Sequence, residues 1–129
     1  MITNDRFLKP YIPYASPIAS LVVAATNTLV FNSSTDRTFR IVKIHIFNHN
    51  AAATIVTLGD LSGAGATWVQ KVTGIWVAAG LDLILTEPEI IGIEFPVNQD
   101  LYARASVAAA APNNVEVQVE VHEYLGIGG

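Results

Sequence analysis

The sequence predicts an all-β domain: an antiparallel two-sheet jelly roll or β-sandwich of about eight strands, preceded by an extended N-terminal arm. Three observations predict it. From residue 20 onward apolar residues recur with a period of two, which is typical of strands with one buried face. No stretch carries an apolar stripe at helical spacing over three turns. Turn-forming residues separate the short apolar segments, and the 129 residues suit one domain.

The first 19 residues are predicted to form an extended arm. Prolines hold a chain extended and disfavour both helix and central strand, and three occur here: Pro10, Pro13 and Pro17. The arm is too apolar for a solvated tail. It is therefore expected to lie against its own domain or against a neighbouring subunit. Its candidate contact residues are Phe7, Leu8, Tyr11, Ile12 and Tyr14.

The predicted jelly roll covers residues 20–125, and residues 126–129 are expected to be a flexible tail. The clearest strand is Val115 to His122, where four valines alternate with four polar residues. In the segment from Thr38 to Asn48, we expect Val42, Ile44 and Ile46 to share the buried face. The remaining predicted strands are Ser20 to Phe31 with a bend near Asn27, Thr54 to Leu58, Thr67 to Val77, Leu81 to Thr86, Glu89 to Phe95, and Leu101 to Val107.

An immunoglobulin-like sandwich is the competing prediction for the fold. It is weakened because the chain has no cysteine, so the Cys and Trp spacing of true immunoglobulin domains is missing. The absence of cysteine also excludes disulfide frameworks and thiol nucleophiles. The jelly roll remains the preferred fold.

The amino-acid composition narrows the classes of partner that this chain is expected to bind. Charged residues make up 14% of the chain, against roughly 25% in a typical soluble domain. Seven Lys and Arg face eleven Asp and Glu, so the basic excess of a nucleic-acid-binding protein is absent. No secretion signal or membrane-spanning segment is predicted. A domain with so few charges is expected to cover part of its surface with copies of itself or with a larger body.

No motif predicts an enzyme, a cofactor or a metal site. His45 and His49 stand about 13 Å apart on an extended chain, too far to share one metal without a sharp turn. These two and His122 are expected to face solvent. The carboxylates Glu87 and Glu89, and likewise Glu116 and Glu120, are interpreted as solvated rather than as a hydrolytic pair.

Two tryptophans allow either a structural role in the core or a role in ligand binding. Trp68 and Trp76 are an even number of residues apart in one predicted strand, so they are expected to share a face. Core packing is the favoured interpretation, because burying a large ring removes much apolar surface from water. A sugar-binding platform is the alternative.

Residues 20 to 124 resemble, in their pattern, the small jelly-roll decoration or cement proteins of tailed bacteriophages. The likeness lies in the long strand Thr38 to Asn48, the segment Ala53 to Gly59, the turn Ala78-Ala79-Gly80, the stretch Pro96 to Ala105, and the valine-rich strand ending at Glu123. The resemblance implies a structural protein that forms trimers on the virion surface after assembly in the host cytoplasm. Its implied partners are the major capsid protein or another virion protein, and copies of itself.

Two further functions remain open at this point. One is a carbohydrate-binding or receptor-binding module of a phage fibre or tail, using Trp68, Trp76 or Tyr102. The other is a filament subunit that donates its N-terminal segment as a strand to the next subunit.

Overall fold

The computed structural model describes residues 11–32, 37–60, 68–86, 94–95 and 100–125, and these residues contain no helix. They form ten strands. The strands are β1 Tyr11–Ala15, β2 Ala19–Leu21, β3 Thr28–Asn32, β4 Arg37–Asn48, β5 Thr54–Asp60, β6 Val69–Val77, β7 Asp82–Thr86, β8 Glu94–Phe95, β9 Asp100–Ala105 and β10 Val115–Leu125.

The strands build two antiparallel sheets that pack face to face around one core. The first sheet, sheet A, has the order β1-β10-β4-β7, with β2 also pairing with β10 and β8 with β4. The second, sheet B, has the order β3-β9-β5-β6. With β1 and β2 on the same side of β10, this is the strand order of a jelly roll. The predicted fold class is confirmed, and the immunoglobulin-like order is not the one observed.

The strand count exceeds the predicted eight for two local reasons. Residues 11–15, which the sequence predicted to be part of an arm, pair with β10 as β1. The predicted strand from Ser20 to Phe31 is divided into β2 and β3, which belong to different sheets. The predicted bend near Asn27 falls just before β3 begins.

The core lies between the inner faces of the two sheets. Val115, Val117, Val119 and Val121 of β10 are at most 1% exposed, which confirms the predicted alternation of this strand. Sheet B contributes Val56, Leu58, Leu101, Ala103 and Ala105 from β5 and β9. Because these strands alternate inward apolar with outward polar or aromatic residues, each sheet also presents one face to solvent.

One predicted core residue of β4 is placed differently. Val42 is half-buried, whereas Ile41 and Phe39 are fully buried. The β4–β10 pairing shifts register between Glu120, which faces Lys43, and Val121, which faces Ile41. This bulge leaves Val42 out of the alternation and reverses the facing of the residues before it. Ile44 and Ile46 occupy the core as expected.

Candidate functional site

Two solvent-facing surfaces carry the residues that the sequence singled out. We call the first the N-terminal edge; it consists of residues 11–21 along the outer side of β10. Tyr11 to Ala15 pair with Tyr124 to Glu120, and Ala19 to Leu21 pair with Val117 to Val115. Among the described residues, no strand pairs with the opposite side of this edge.

Ser16 joins the two halves of the N-terminal edge. Its N–H donates to the Val119 carbonyl at 2.8 Å, and its Oγ accepts from the Val119 N–H at 3.0 Å. The Gln118 amide donates to the Ser16 carbonyl at 2.8 Å. The Ser16 side chain is 1% exposed, so these bonds are shielded from water. Ser16 therefore holds the chain against β10 where the strand pairing is interrupted.

Pro13 occupies a position of the edge where a proline is tolerated. Ser16 continues the register of β1 and points its N–H at β10. Alternate residues of an antiparallel strand point their N–H groups to the same side. The Pro13 nitrogen, three residues earlier, therefore faces away from β10. The missing N–H leaves the pairing with β10 intact and removes a donor from the outer side of the edge.

The N-terminal edge exposes four large apolar side chains on both faces of sheet A, with Tyr11 and Ile18 on the solvent-facing side and the other two on the side of the buried Val121. Tyr11, Ile12, Tyr14 and Ile18 are between 43% and 60% exposed. The Tyr11 ring stacks on His122 with the centroids 4.1 Å apart, and the Tyr14 ring lies 5.3 Å from Phe31. Three of the five predicted contact residues thus lie on this edge. Phe7 and Leu8 lie outside the described residues, as does the predicted tail.

We call the second surface the aromatic face; it is the solvent-facing side of sheet B. Trp76 of β6 is 62% exposed and lies opposite Ile55 of β5, itself 44% exposed. Leu29 of β3 lies opposite Tyr102 of β9, and Leu29 is exposed too. All of these side chains alternate with buried neighbours, so they share the outward side of the sheet.

Trp68 lies on the same face, just before β6 begins. Its ring covers Gly59, since a Cβ built on Gly59 would lie 2.9 Å from the indole carbon Cζ2. The guanidinium carbon of Arg104 lies 4.0 Å above the Trp68 ring centroid. Arg104 Nε also donates to Asn27 Oδ1 at 2.7 Å. The indole and the amide together fix the orientation of Arg104.

The tryptophans thus share a face, as the even spacing predicted, but the favoured interpretation of core packing was wrong. The core is filled by aliphatic residues and by Phe31 and Phe39, and neither tryptophan belongs to it. Sequence reasoning also missed Arg104. Its alternation with the buried Ala103 and Ala105 indicates an outward side chain, but only the pairing of β5 with both β6 and β9 brings it to Trp68.

The histidines lie on the solvent-facing side of sheet A and are each engaged. His45 pairs with Asp82, and His49 Nε2 lies 2.6 Å from Glu116 Oε1. The Phe47 ring stacks on His49, with 4.1 Å between centroids. Among the described residues, no group of three or more His, Asp or Glu is placed to hold a metal ion.

The carboxylates of β10 are engaged as well. Glu116 pairs with His49, and Glu120 forms an ion pair with Lys43, whose Nζ lies 3.2 Å from Glu120 Oε2. Glu87 and Glu89 lie outside the described residues. A pocket of about 100 Å³, lined by Ile18, His45, Phe47, Glu116 and Gln118, is small beside the roughly 300–1,000 Å³ of typical ligand sites. The described part of the chain has no helix long and apolar enough to cross a membrane.

No protein-family model matches the chain, and no curated protein sequence matches it. Among solved structures, a chain of infectious bursal disease virus, Gx strain, is similar with a TM-score of 0.47 and 11% identity, over 93% of this chain and 34% of that one. A chain of the cyanophage Pam1 capsid asymmetric unit has a TM-score of 0.41 and 18% identity, over 89% and 86%.

The crystal structure of the infectious bursal disease virus VP2 subviral particle gives a TM-score of 0.38 and 10% identity, over 92% of this chain and 34% of that one. This chain therefore spans about a third of the length of the bursal disease virus chains. All three structures come from viruses. At TM-scores below 0.5, these likenesses do not establish a common family or a common function.

Proposed function

We propose that this chain is a structural accessory protein of a virion, a decoration or cement protein that binds the capsid surface and stabilises the shell. The observation that carries the proposal is the N-terminal edge, where Tyr11, Ile12, Tyr14 and Ile18 expose apolar area beside an open row of backbone groups. The resemblance of the sequence pattern to phage decoration proteins supports the same role.

The physical basis of binding is apolar burial combined with strand pairing. Apolar area removed from water contributes roughly 25 cal/mol per Å², so the half-exposed tyrosines and isoleucines on the two faces of this edge gain most when a partner covers both faces. An open sheet edge can also pair with an extended segment of another chain, here without a donor at Pro13. Because many copies bind one shell, a modest contribution from each copy raises the temperature that the shell withstands.

The proposal includes self-association, as a homotrimer, and excludes a catalytic role. The low charged fraction of 14% favours contact with other protein surfaces over a solitary molecule in water. The described histidines are paired with carboxylates or stacked on an aromatic ring, and the proposal assigns these contacts a structural role.

Particles of the encoding virus, prepared without this chain, provide the test. Purified chain is added, co-sedimentation is measured, and release of the genome on heating is followed with a nucleic-acid dye. We expect the wild-type chain to sediment with the particles and to raise the release temperature by several degrees. Ile12→Asp is expected to lose at least tenfold in affinity, because it places a charge in the apolar contact.

The matched control is Ile84→Asp. Ile84 lies on β7, at the other end of sheet A, and is 49% exposed against 48% for Ile12. We expect this variant to bind like the wild type. Failure of the wild-type chain to sediment with the particles, or undiminished binding by Ile12→Asp, would overturn the proposal.

A further inference from the structure

Beyond capsid binding, we propose that the aromatic face binds an acidic oligosaccharide, one that carries a uronic or sialic acid. In this site Trp76 is the platform for a sugar ring, and Arg104 receives the sugar carboxylate. Trp68 and Asn27 position Arg104. The site lies on sheet B, whereas the proposed capsid contact lies on the edge of sheet A.

Trp76 has the exposure that ring stacking needs. Its indole is 62% exposed on a regular strand, and the nearest residue before it on the same side of β6 is Gly74, which has no side chain to cover it. Ile55 across the strand pair extends the apolar surface. The C–H face of a pyranose packs on such a surface, while its hydroxyls stay free to bond to neighbouring polar groups.

Arg104 gives the proposed site its preference for a sugar that carries a carboxylate. Its Nε is bonded to Asn27, and its guanidinium is held over Trp68. Among the residues that the structure describes, no carboxylate pairs with Arg104, and its two terminal nitrogens have no hydrogen-bond partner. A guanidinium fixed in this way has lost side-chain freedom in advance and can bind a carboxylate through two parallel hydrogen bonds.

The spacing of the two groups fits a short oligosaccharide. Trp76 pairs with Ile55, and Arg104 pairs with Thr57 from the other side of β5. With strands about 4.8 Å apart and a rise of about 3.3 Å per residue, the two Cα atoms lie roughly 12 Å apart. A chain of a few sugar rings spans this distance.

The residues between the two groups favour a sugar over an apolar protein surface. Thr57 lies between the Trp76 and Arg104 positions, and Tyr102 lies beside Arg104, so hydroxyl groups interrupt the apolar residues. Sugar hydroxyls bond well to such groups, whereas an apolar partner would leave them unpaired. Nucleic acid is disfavoured by the net charge of −4.

The test begins with an array of oligosaccharides in which each uronic-acid or sialic-acid glycan has a neutral counterpart. Wild-type chain is applied, and the strongest pair is measured by titration calorimetry with NaCl varied. We expect at least one acidic glycan to bind at least tenfold more tightly than its neutral counterpart, and the difference to shrink as salt rises.

Three variants locate the site. Trp76→Ala changes an exposed residue and is expected to weaken binding of both members of the pair at least tenfold, with the circular dichroism spectrum unchanged. Arg104→Gln is expected to abolish the difference between the acidic and the neutral glycan. Ile84→Ala, which changes an exposed residue of sheet A, is the control and is expected to bind like the wild type.

Several outcomes would overturn the proposal: no acidic glycan bound, equal affinity for acidic and neutral glycans, or full binding by Trp76→Ala. Capture of a capsid protein that Trp76→Ala abolishes would also overturn it, because the face would then belong to a protein interface. Capsid binding is measured separately with Ile12→Asp, so failure of this proposal leaves the proposed virion role standing, and the reverse also holds.

Discussion

Asn48 is a polar residue with no exposed surface, and it connects three parts of the chain at one end of the sandwich. Its side-chain amide donates to the carbonyls of Ala52, Val77 and Ala78 at 2.9, 3.2 and 3.2 Å. Its Oδ1 accepts from the Asn50 N–H at 2.9 Å. One buried side chain thus satisfies the backbone of the turn before β5 and of the turn after β6.

We expect Asn48→Ala to lower the free energy of unfolding by about 2–3 kcal/mol, because the buried Val77 carbonyl loses its partner without gaining water and three part-buried backbone groups lose theirs. Asn48→Asp is expected to cost more, since it replaces the donor with a charge that faces three carbonyl oxygens. Urea unfolding at a fixed protein concentration measures both. Asn32→Ala, at an exposed asparagine that ends β3, is the control and is expected to stay within about 0.5 kcal/mol of the wild type. An Asn48→Ala variant as stable as Asn32→Ala would contradict this account.

Single residues also mark the limit of sequence reasoning. The chain turns at Asn48-His49-Asn50, as its two asparagines favour, because asparagine side chains bond to nearby backbone. That Asn48 is the buried member could not be predicted, since two of its partners, Val77 and Ala78, are about thirty residues away. Arg104 was missed for the same reason. The local sequence pattern predicts which side of the sheet a side chain faces. The order of the strands in the sheet determines which other side chains it contacts.

At the scale of strands, the alternation of apolar and polar residues predicts which side of the sheet each side chain faces, until a β-bulge interrupts it. The valines of β10 follow a strict period of two and were predicted correctly, whereas Val42 of β4 was not. β5 and β6 are interrupted twice, with register shifts between Val56 and Leu58 and between Leu58 and Gly59. A bulge depends on both strands at once, so the sequence of one strand does not reveal it.

Gly59 makes the second of these shifts sterically feasible. A Cβ at this position would clash with the Val69 carbonyl oxygen and would also meet the Trp68 ring. Because the first contact is with backbone, the strands must move apart. We expect Gly59→Ala to destabilise the protein by about 1–3 kcal/mol, as overpacking does, measured by urea unfolding.

Gly74→Ala is the matched control on the neighbouring strand. Its Cβ would meet the Cγ2 atom of Ile55 at 2.8 Å, but Ile55 is an exposed side chain that can rotate away. This variant is expected to cost less than about 1 kcal/mol. If the two glycine variants were equally stable, the backbone contact at Gly59 would not be the cause.

At the scale of the whole molecule, the balance of surface chemistry predicts association. The chain of 129 residues has only seven basic and eleven acidic side chains. Several of the described charges form ion pairs with one another, as Lys43 does with Glu120. The described residues instead expose twelve large apolar side chains, on both sheets, along the N-terminal edge and in the connections between strands. Contacts made by such surfaces depend on apolar burial, which salt does not screen.

We therefore expect the purified chain to form a stable oligomer whose mass, measured by size-exclusion chromatography with light scattering, is three times the 13.8 kDa of the chain. The mass is expected to be the same in 50 mM and in 1 M NaCl, and sodium sulfate is expected to strengthen the assembly, because excluded salts favour apolar burial. A monomer at micromolar concentration in all these buffers would contradict the expectation, and dissociation at 1 M NaCl would show that ion pairs rather than apolar contacts hold the subunits together.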